Sequence, residues 1–317
     1  MTDRHGPAPQ AQWTPDVDVT PALAASLIGE QFPGLLSVPI APLATGWDNI
    51  AFLVGDQWLF RFPRREIAVP GVRREIAVLP RLAPLVPLPI PDPAFVGRPS
   101  DRYGWPFFGT AMLPGRELAD SGLPDSRRIE AATAVGEFLR ELHDPALARL
   151  PECASLPVDP MGRGNADVRA SRARPVLARL GRAGVWPPDD EVGRLLDEAE
   201  ATPQPAGRAS LVVCHGDLHI RHVLVDLLGL ATAIIDWGDL CLGDPVVDLG
   251  IAYLGFAGGA RAALLSAYGR PVTAYQELAA RTLAISLGAS LAEYAADDER
   301  PDLLREALAG LRRAVSA

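Results

Sequence analysis

Hydrophobic and polar positions change their period along this chain, short in a first region and mostly helical beyond it. Residues 50–54 and 58–62 are short apolar and aromatic runs on either side of Gly55-Asp56, a pattern that predicts a β-hairpin. Over 69–82 the period lengthens: Val72, Ile76 and Leu79 return at helical spacing, with Arg73, Arg74 and Glu75 between them, which predicts an amphipathic helix. A proline-rich run over 84–93 interrupts regular structure, a further strand is expected over 107–113, and Pro114-Gly115 ends it.

Beyond that break the helical period takes over. Pro124-Asp125 reads as a helix start, with Ile129, Ala132, Val135, Leu139 and Leu142 on one face. One β-rich interruption follows, in which 211–213, 223–225 and 231–235 are apolar runs of a length suited to buried strands. Helices are then expected near 246–254, 260–268, 277–294 and 301–315. The pattern predicts an α+β chain with a small β-rich N-terminal region, 1–113, and a larger, mainly helical C-terminal region, 114–317.

Composition narrows the function classes. At 317 residues and 48% hydrophobic the chain can bury a sizeable core. Its net charge of −9 has the wrong sign for a general phosphate-backbone binder, so nucleic acid is not an expected partner, and a cationic small molecule would be drawn to such a surface. Cys153, Cys214 and Cys241 are odd in number and widely spaced, which indicates neither a disulfide framework nor a thiolate zinc site and suits a reducing compartment. No apolar run has the length of a signal segment or a membrane span, so a cytoplasmic protein without membrane contact is expected. All 30 basic residues are Arg, which excludes lysine-dependent chemistry.

The densest chemistry lies in Cys214-His215-Gly216-Asp217-Leu218-His219-Ile220-Arg221-His222, followed by Asp236-Trp237-Gly238-Asp239 and by Gly243-Asp244-Pro245 with Asp248. Phosphoryl transfer needs few covalent groups but well-placed charges: one carboxylate to orient the attacking hydroxyl and another to hold the metal that bridges the phosphates. Asp217 and Asp236, each at the end of an apolar run, meet that need, although Asp is also a common turn residue. Three histidines within eight residues also admit a zinc hydrolase reading, but Gly216-Asp217 argues for a loop, where an HxxxH spacing does not place two rings on one face.

In this order the motifs resemble the aminoglycoside phosphotransferase and choline kinase family, whose fold is similar to that of protein kinases. The resemblance covers roughly residues 43–268. It implies a two-lobed kinase-like fold, with a nucleotide-binding lobe at 1–113 and a catalytic and substrate-binding lobe at 114–317. It also implies transfer of the γ-phosphate of ATP or GTP, with Mg2+ or another divalent cation, to a hydroxyl of an aminoglycoside-like or other antibiotic. A sugar or amino alcohol acceptor, and a catalytically silent nucleotide-binding protein, are the alternatives.

By the same resemblance Asp217 is the catalytic base and Asp236 the principal metal ligand, while His215 braces the loop and Asp244 and Asp248 are a helix cap and a buried support. His222 stands where the family usually has a metal-ligating Asn, and two roles are open to it: ligand through one ring nitrogen, or hydrogen-bond donor to Asp217 alone. In the N-terminal region Arg61 takes the place of the phosphate-binding cation, with Glu75 as its partner. The turn from Ala44 through Gly46 and Trp47 to Asn49 would cover the phosphates, and Met112 with Leu113 would meet the nucleobase through backbone groups. The acidic run Glu293, Asp297, Asp298, Glu299 is either a solvated helix end or a face for cationic acceptors.

Overall fold

The computed structural model describes residues 14–46, 48–205 and 211–316, so Trp47 of the expected phosphate-covering turn and most of the polar N-terminal segment lie outside the described residues. Two compact units emerge: the chain up to Pro80 with Pro91–Met112, and Arg81–Ile90 with the chain from Leu113 onward. The segment 81–90 packs with the larger unit, where the Ile234 amide donates to the Pro89 carbonyl (3.0 Å) and Arg81 pairs with Glu152 (3.0 Å).

In the smaller unit α1 (Pro21–Gln31) precedes β1 (Ile40–Thr45), β2 (Asn49–Val54) and β3 (Trp58–Pro63); α2 (Val69–Leu82), whose last two residues belong to the larger unit, β4 (Pro93–Gly97) and β5 (Phe107–Ala111) follow. The five strands form one antiparallel sheet in the order β1-β2-β3-β5-β4. Phe52, Phe60, Phe62 and Phe107 are fully buried on one face, with Phe62 stacked on Phe107 at 4.3 Å between ring centres. Alternation of these rings with half-buried Leu59 and Arg61 turns Arg61 away from that core, as the two-residue period of a strand requires. Helix α2 covers the range that its periodicity predicts and buries Val72, Val78, Leu79 and Leu82 together with Glu75.

The larger unit holds β6 (Arg116–Glu117), α3 (Ile129–Leu142), α4 (Ala166–Arg182), α5 (Asp190–Ala201), β7 (Val212–Cys214), β8 (Val223–Val225), β9 (Ala231–Ile234) and β10 (Cys241–Gly243). It continues through α6 (Val246–Leu254), α7 (Gly258–Tyr268), α8 (Ala274–Asp297) and α9 (Pro301–Val315). Its strands are short: β6-β8-β9 form one antiparallel ribbon and β10-β7 another, the latter setting Cys241 directly opposite Cys214. Helix α8 begins with a capping box in which Thr273 and Gln276 satisfy each other's backbone amides. Helix α6 is buried on all sides, which suits its uniformly apolar run and makes its single carboxylate, Asp248, conspicuous. Among the described residues no helix is long and apolar enough to cross a membrane.

Candidate active site

The loop between β7 and β8 carries His215 to His222, and the turn after β9 carries Asp236 to Asp239. Irregular backbone in a buried place needs hydrogen-bond partners, and here Asp248 supplies them. Its carboxylate accepts from the amides of His215 (2.8 Å) and Gly216 (3.0 Å) and from His143 Nε2 (3.2 Å). Because His143 donates there, its Nδ1 accepts from the Tyr268 hydroxyl at 3.1 Å. Burial opposes a charge on Asp248, but the donors from His143 and Gly216 prevail and hold its carboxyl below the ordinary value.

His215 is buried and fully partnered. Its Nε2 donates to the Ile235 carbonyl (2.9 Å) and its Nδ1 accepts from the Asp217 amide (3.2 Å), so one neutral imidazole ties the first loop to the second. Burial pushes its pKa down to about 4, which suits a brace and not a proton carrier near neutral pH. Gly216 closes the same junction from the backbone side. Its φ is +92°, and a Cβ there would lie 2.0 Å from the Asp239 carbonyl oxygen. Gly216→Ala is therefore expected to lower stability by at least about 1–3 kcal/mol, read as a shift of the urea unfolding midpoint.

Arg163 is the residue of the site that sequence reasoning missed. Its guanidinium pairs with Asp217 Oδ1 (2.9 Å) and Asp239 Oδ2 (2.7 Å) and donates to the Gly216 carbonyl. Asp159 fixes the loop that presents it, accepting from the amides of Arg163 and Gly164, each at 2.8 Å. Burial pushes the Asp217 carboxyl up to about 6, and the Arg163 charge works against that rise. With Oδ1 committed to Arg163, Asp217 turns Oδ2 towards His219 Nε2, 3.7 Å away.

His222 joins the backbone of Asp217 to the side chain of Asp236. Its Nδ1 donates to the Asp217 carbonyl oxygen (2.8 Å), and its Nε2 lies 3.3 Å from Asp236 Oδ2. The two roles left open by the sequence are thus compatible, since one nitrogen can brace the loop while the other faces the Asp236 carboxylate. Once the ring gives up its Nε2 proton to solvent, that nitrogen and the Asp236 carboxylate are a pair of donors that fits a divalent cation. Burial disfavours a charged ring, yet the hydrogen bond with Asp236 holds the His222 pKa above its ordinary value. Asp236 itself has a φ of +65°, unusual for a residue with a side chain and a mark of tight constraint from its surroundings.

In the smaller unit Arg61 Nη1 pairs with Glu75 Oε2 at 3.1 Å, and the Glu75 side chain is 1% exposed, so β3 and α2 bring the expected cation and carboxylate together. The Gly46 amide donates to the Asn49 carbonyl (2.9 Å), closing the turn between β1 and β2. Met112 is exposed, and its amide is already committed to the Gln57 carbonyl (2.7 Å). Of the acidic run at the end of α8, Glu293 is held by Arg179 at 2.6 and 2.9 Å and Asp298 accepts from the Tyr294 hydroxyl at 3.0 Å.

Comparison with known proteins bears on the family and the fold. Residues 39–281 match the model of a phosphotransferase enzyme family. No curated protein sequence matches the chain. Among solved structures, the GDP and kanamycin complex of APH(2")-IIIa is 24% identical with a TM-score of 0.63, covering 92% of this chain and 97% of that one. The macrolide 2'-phosphotransferase MphH from Brachybacterium faecium is 22% identical with a TM-score of 0.58, covering 90% and 97%. The streptomycin and ATP ternary complex of APH(2")-IIa is 16% identical with a TM-score of 0.56, covering 93% and 99%. At these identities the likeness is one of fold, the α+β kinase-like fold expected from the sequence.

Proposed function

Since the chain belongs to the phosphotransferase enzyme family and is a transferase with an alcohol group as acceptor, we propose that it moves the γ-phosphoryl group of ATP or GTP onto a hydroxyl of an aminoglycoside-like antibiotic. Asp217 orients the acceptor hydroxyl and takes its proton, while Asp236 and His222 hold a divalent cation, Mg2+ in the first instance. Arg61, kept in place by Glu75, meets the phosphates, with the Gly46 to Asn49 turn and the backbone carbonyl at Met112, whose amide is held by Gln57, as the further nucleotide contacts.

The observation that carries this reading is the single imidazole of His222, bonded to the Asp217 carbonyl on one side and facing Asp236 on the other. It ties the backbone of Asp217, whose carboxylate serves the acceptor, to the carboxylate that serves the cation, the division of labour that phosphoryl transfer needs. The cation, when bound, neutralises charge on the transferred phosphoryl group. Every other part of the work belongs to the chain's own residues. Arg163 occupies Oδ1 of Asp217, which leaves Oδ2 to accept the hydroxyl proton; His215 and Asp248 hold the loop so that this oxygen does not wander.

The acidic surface, with a net charge of −9, favours a cationic acceptor, which is why aminoglycosides come before macrolides and neutral sugars. A panel of aminoglycosides, macrolides and small alcohols, each with ATP and with GTP, tests the proposal directly. Turnover of an aminoglycoside supports it, and phosphorylation of none of these acceptors with any divalent cation would defeat it. Asp236→Ala should weaken nucleotide binding in the presence of Mg2+ and lower turnover together. If titration calorimetry instead finds unchanged affinity for the metal-nucleotide complex, Asp236 is not the ligand.

A further inference from the structure

We propose that Arg64 and Arg65, which follow β3, are positioning residues that hold the Gly46 to Asn49 turn in place for the phosphates of a nucleoside triphosphate before it binds. The nucleotide role of the turn rests on the function proposed above; the hold itself rests on bonds within the smaller unit.

Strand pairing sets Asn49, the first residue of β2, opposite Pro63, the last of β3, so the turn before Asn49 lies beside the residues after Pro63. The two arginines use that placement at three points. The Arg64 amide donates to the Asp48 carbonyl (2.7 Å), Arg64 Nη1 donates to the Gly46 carbonyl (3.2 Å), and Arg65 Nη1 pairs with Asp48 Oδ1 (2.8 Å). The anchors are themselves fixed. The amides of Asp16 (2.9 Å) and Val17 (3.0 Å) donate to the Arg64 carbonyl, and the Asp16 carboxylate accepts from the Glu66 amide (2.8 Å). The buried Tyr103 hydroxyl donates to the Pro63 carbonyl (2.7 Å), which pins the end of β3 just before the two arginines.

A turn that must order itself when a ligand arrives loses affinity to that ordering, and a turn already held does not. The side-chain bonds suit this task better than they suit holding the fold. Arg65 and Asp48 are 26% and 46% exposed, where an ion pair adds little to stability. Removing the pair therefore separates positioning of the turn from folding of the sheet. Because a single nitrogen of Arg65 meets a single oxygen of Asp48, a lysine at 65 can make the same bond.

The test titrates the full chain with ATP and GTP in the presence of Mg2+, and with adenosine and guanosine, by competition against a fluorescent nucleotide. Arg65→Ala should weaken triphosphate binding by about fivefold, and Arg64→Ala with Arg65→Ala by at least about tenfold, while nucleoside affinity stays at the wild-type level. Arg65→Lys should recover most of the loss. Asp48→Ala combined with Arg65→Ala should weaken binding no more than either change alone, since both remove one bond. The urea midpoint of Arg65→Ala should match that of wild type. Equal losses for nucleoside and triphosphate, wild-type triphosphate affinity without the two arginines, or losses from Asp48→Ala and Arg65→Ala that add would each overturn the hold. A wild type that binds neither triphosphate removes the hold and the proposed function together. The expected pattern in a chain that phosphorylates no acceptor leaves the hold standing and removes the transfer alone.

Discussion

Asp217→Asn is expected to lower phosphoryl transfer by roughly 100- to 10,000-fold, the range that a positioned base contributes, while affinity for the nucleotide stays near that of wild type. The amide keeps the shape of the side chain, so Arg163 still finds an oxygen, but it cannot take the acceptor proton. The carboxylate is set up for this task by competing influences: burial raises its pKa to about 6, and the Arg163 cation at 2.9 Å keeps it from rising further. A group in that range is ionised at neutral pH yet still basic enough to accept a proton as the hydroxyl attacks. Steady-state turnover together with calorimetric nucleotide affinity separates this role from that of Asp236, for which both quantities should change. An Asp217→Asn protein with wild-type turnover would remove the proposed base.

Asp248→Ala should be the most damaging substitution to the fold of the site, at roughly 3–5 kcal/mol, because it strips a buried charge from donors that have no alternative partner. The amides of His215 and Gly216 and the ring of His143 all donate to that carboxylate, and Asp248 is 0% exposed, so water cannot replace it without opening the core. Urea unfolding followed by circular dichroism reads the loss as a lower midpoint. Turnover should fall as well, since the loop carrying Asp217 is tied down at two consecutive amides by this one side chain. A midpoint equal to that of wild type would show that the network does not support the loop.

Much of the fold was legible because local period is a local property. The β-hairpin around Gly55-Asp56 and the helix Val69–Leu82 follow from spacing that neighbours in sequence impose on one another. Helices α4 and α5 were not anticipated: α4 is rich in Arg and Ala and contains Pro175, so its apolar stripe is too thin to announce itself. Strand β4 starts on a proline inside a run that reads as a break, and it survives as a strand because it lies at the sheet edge, where a missing amide costs little.

What the sequence alone determined is the α+β kinase-like class and the local chemistry of two short motifs, because a histidine, a glycine and an aspartate in one loop lie near one another wherever that loop goes. Tertiary structure decided which partners those groups meet. Arg163, more than fifty positions before Asp217, reaches it only through the loop fixed by Asp159; His143 and Tyr268 find Asp248 only once α3, α6 and α7 pack. Cys214 comes to stand opposite Cys241, and Glu293 to be held by Arg179, in the same way. Ion pairs and buried hydrogen bonds between distant residues depend on how helices and strands bury their apolar faces against one another, a condition of the whole packed chain that no window of sequence contains.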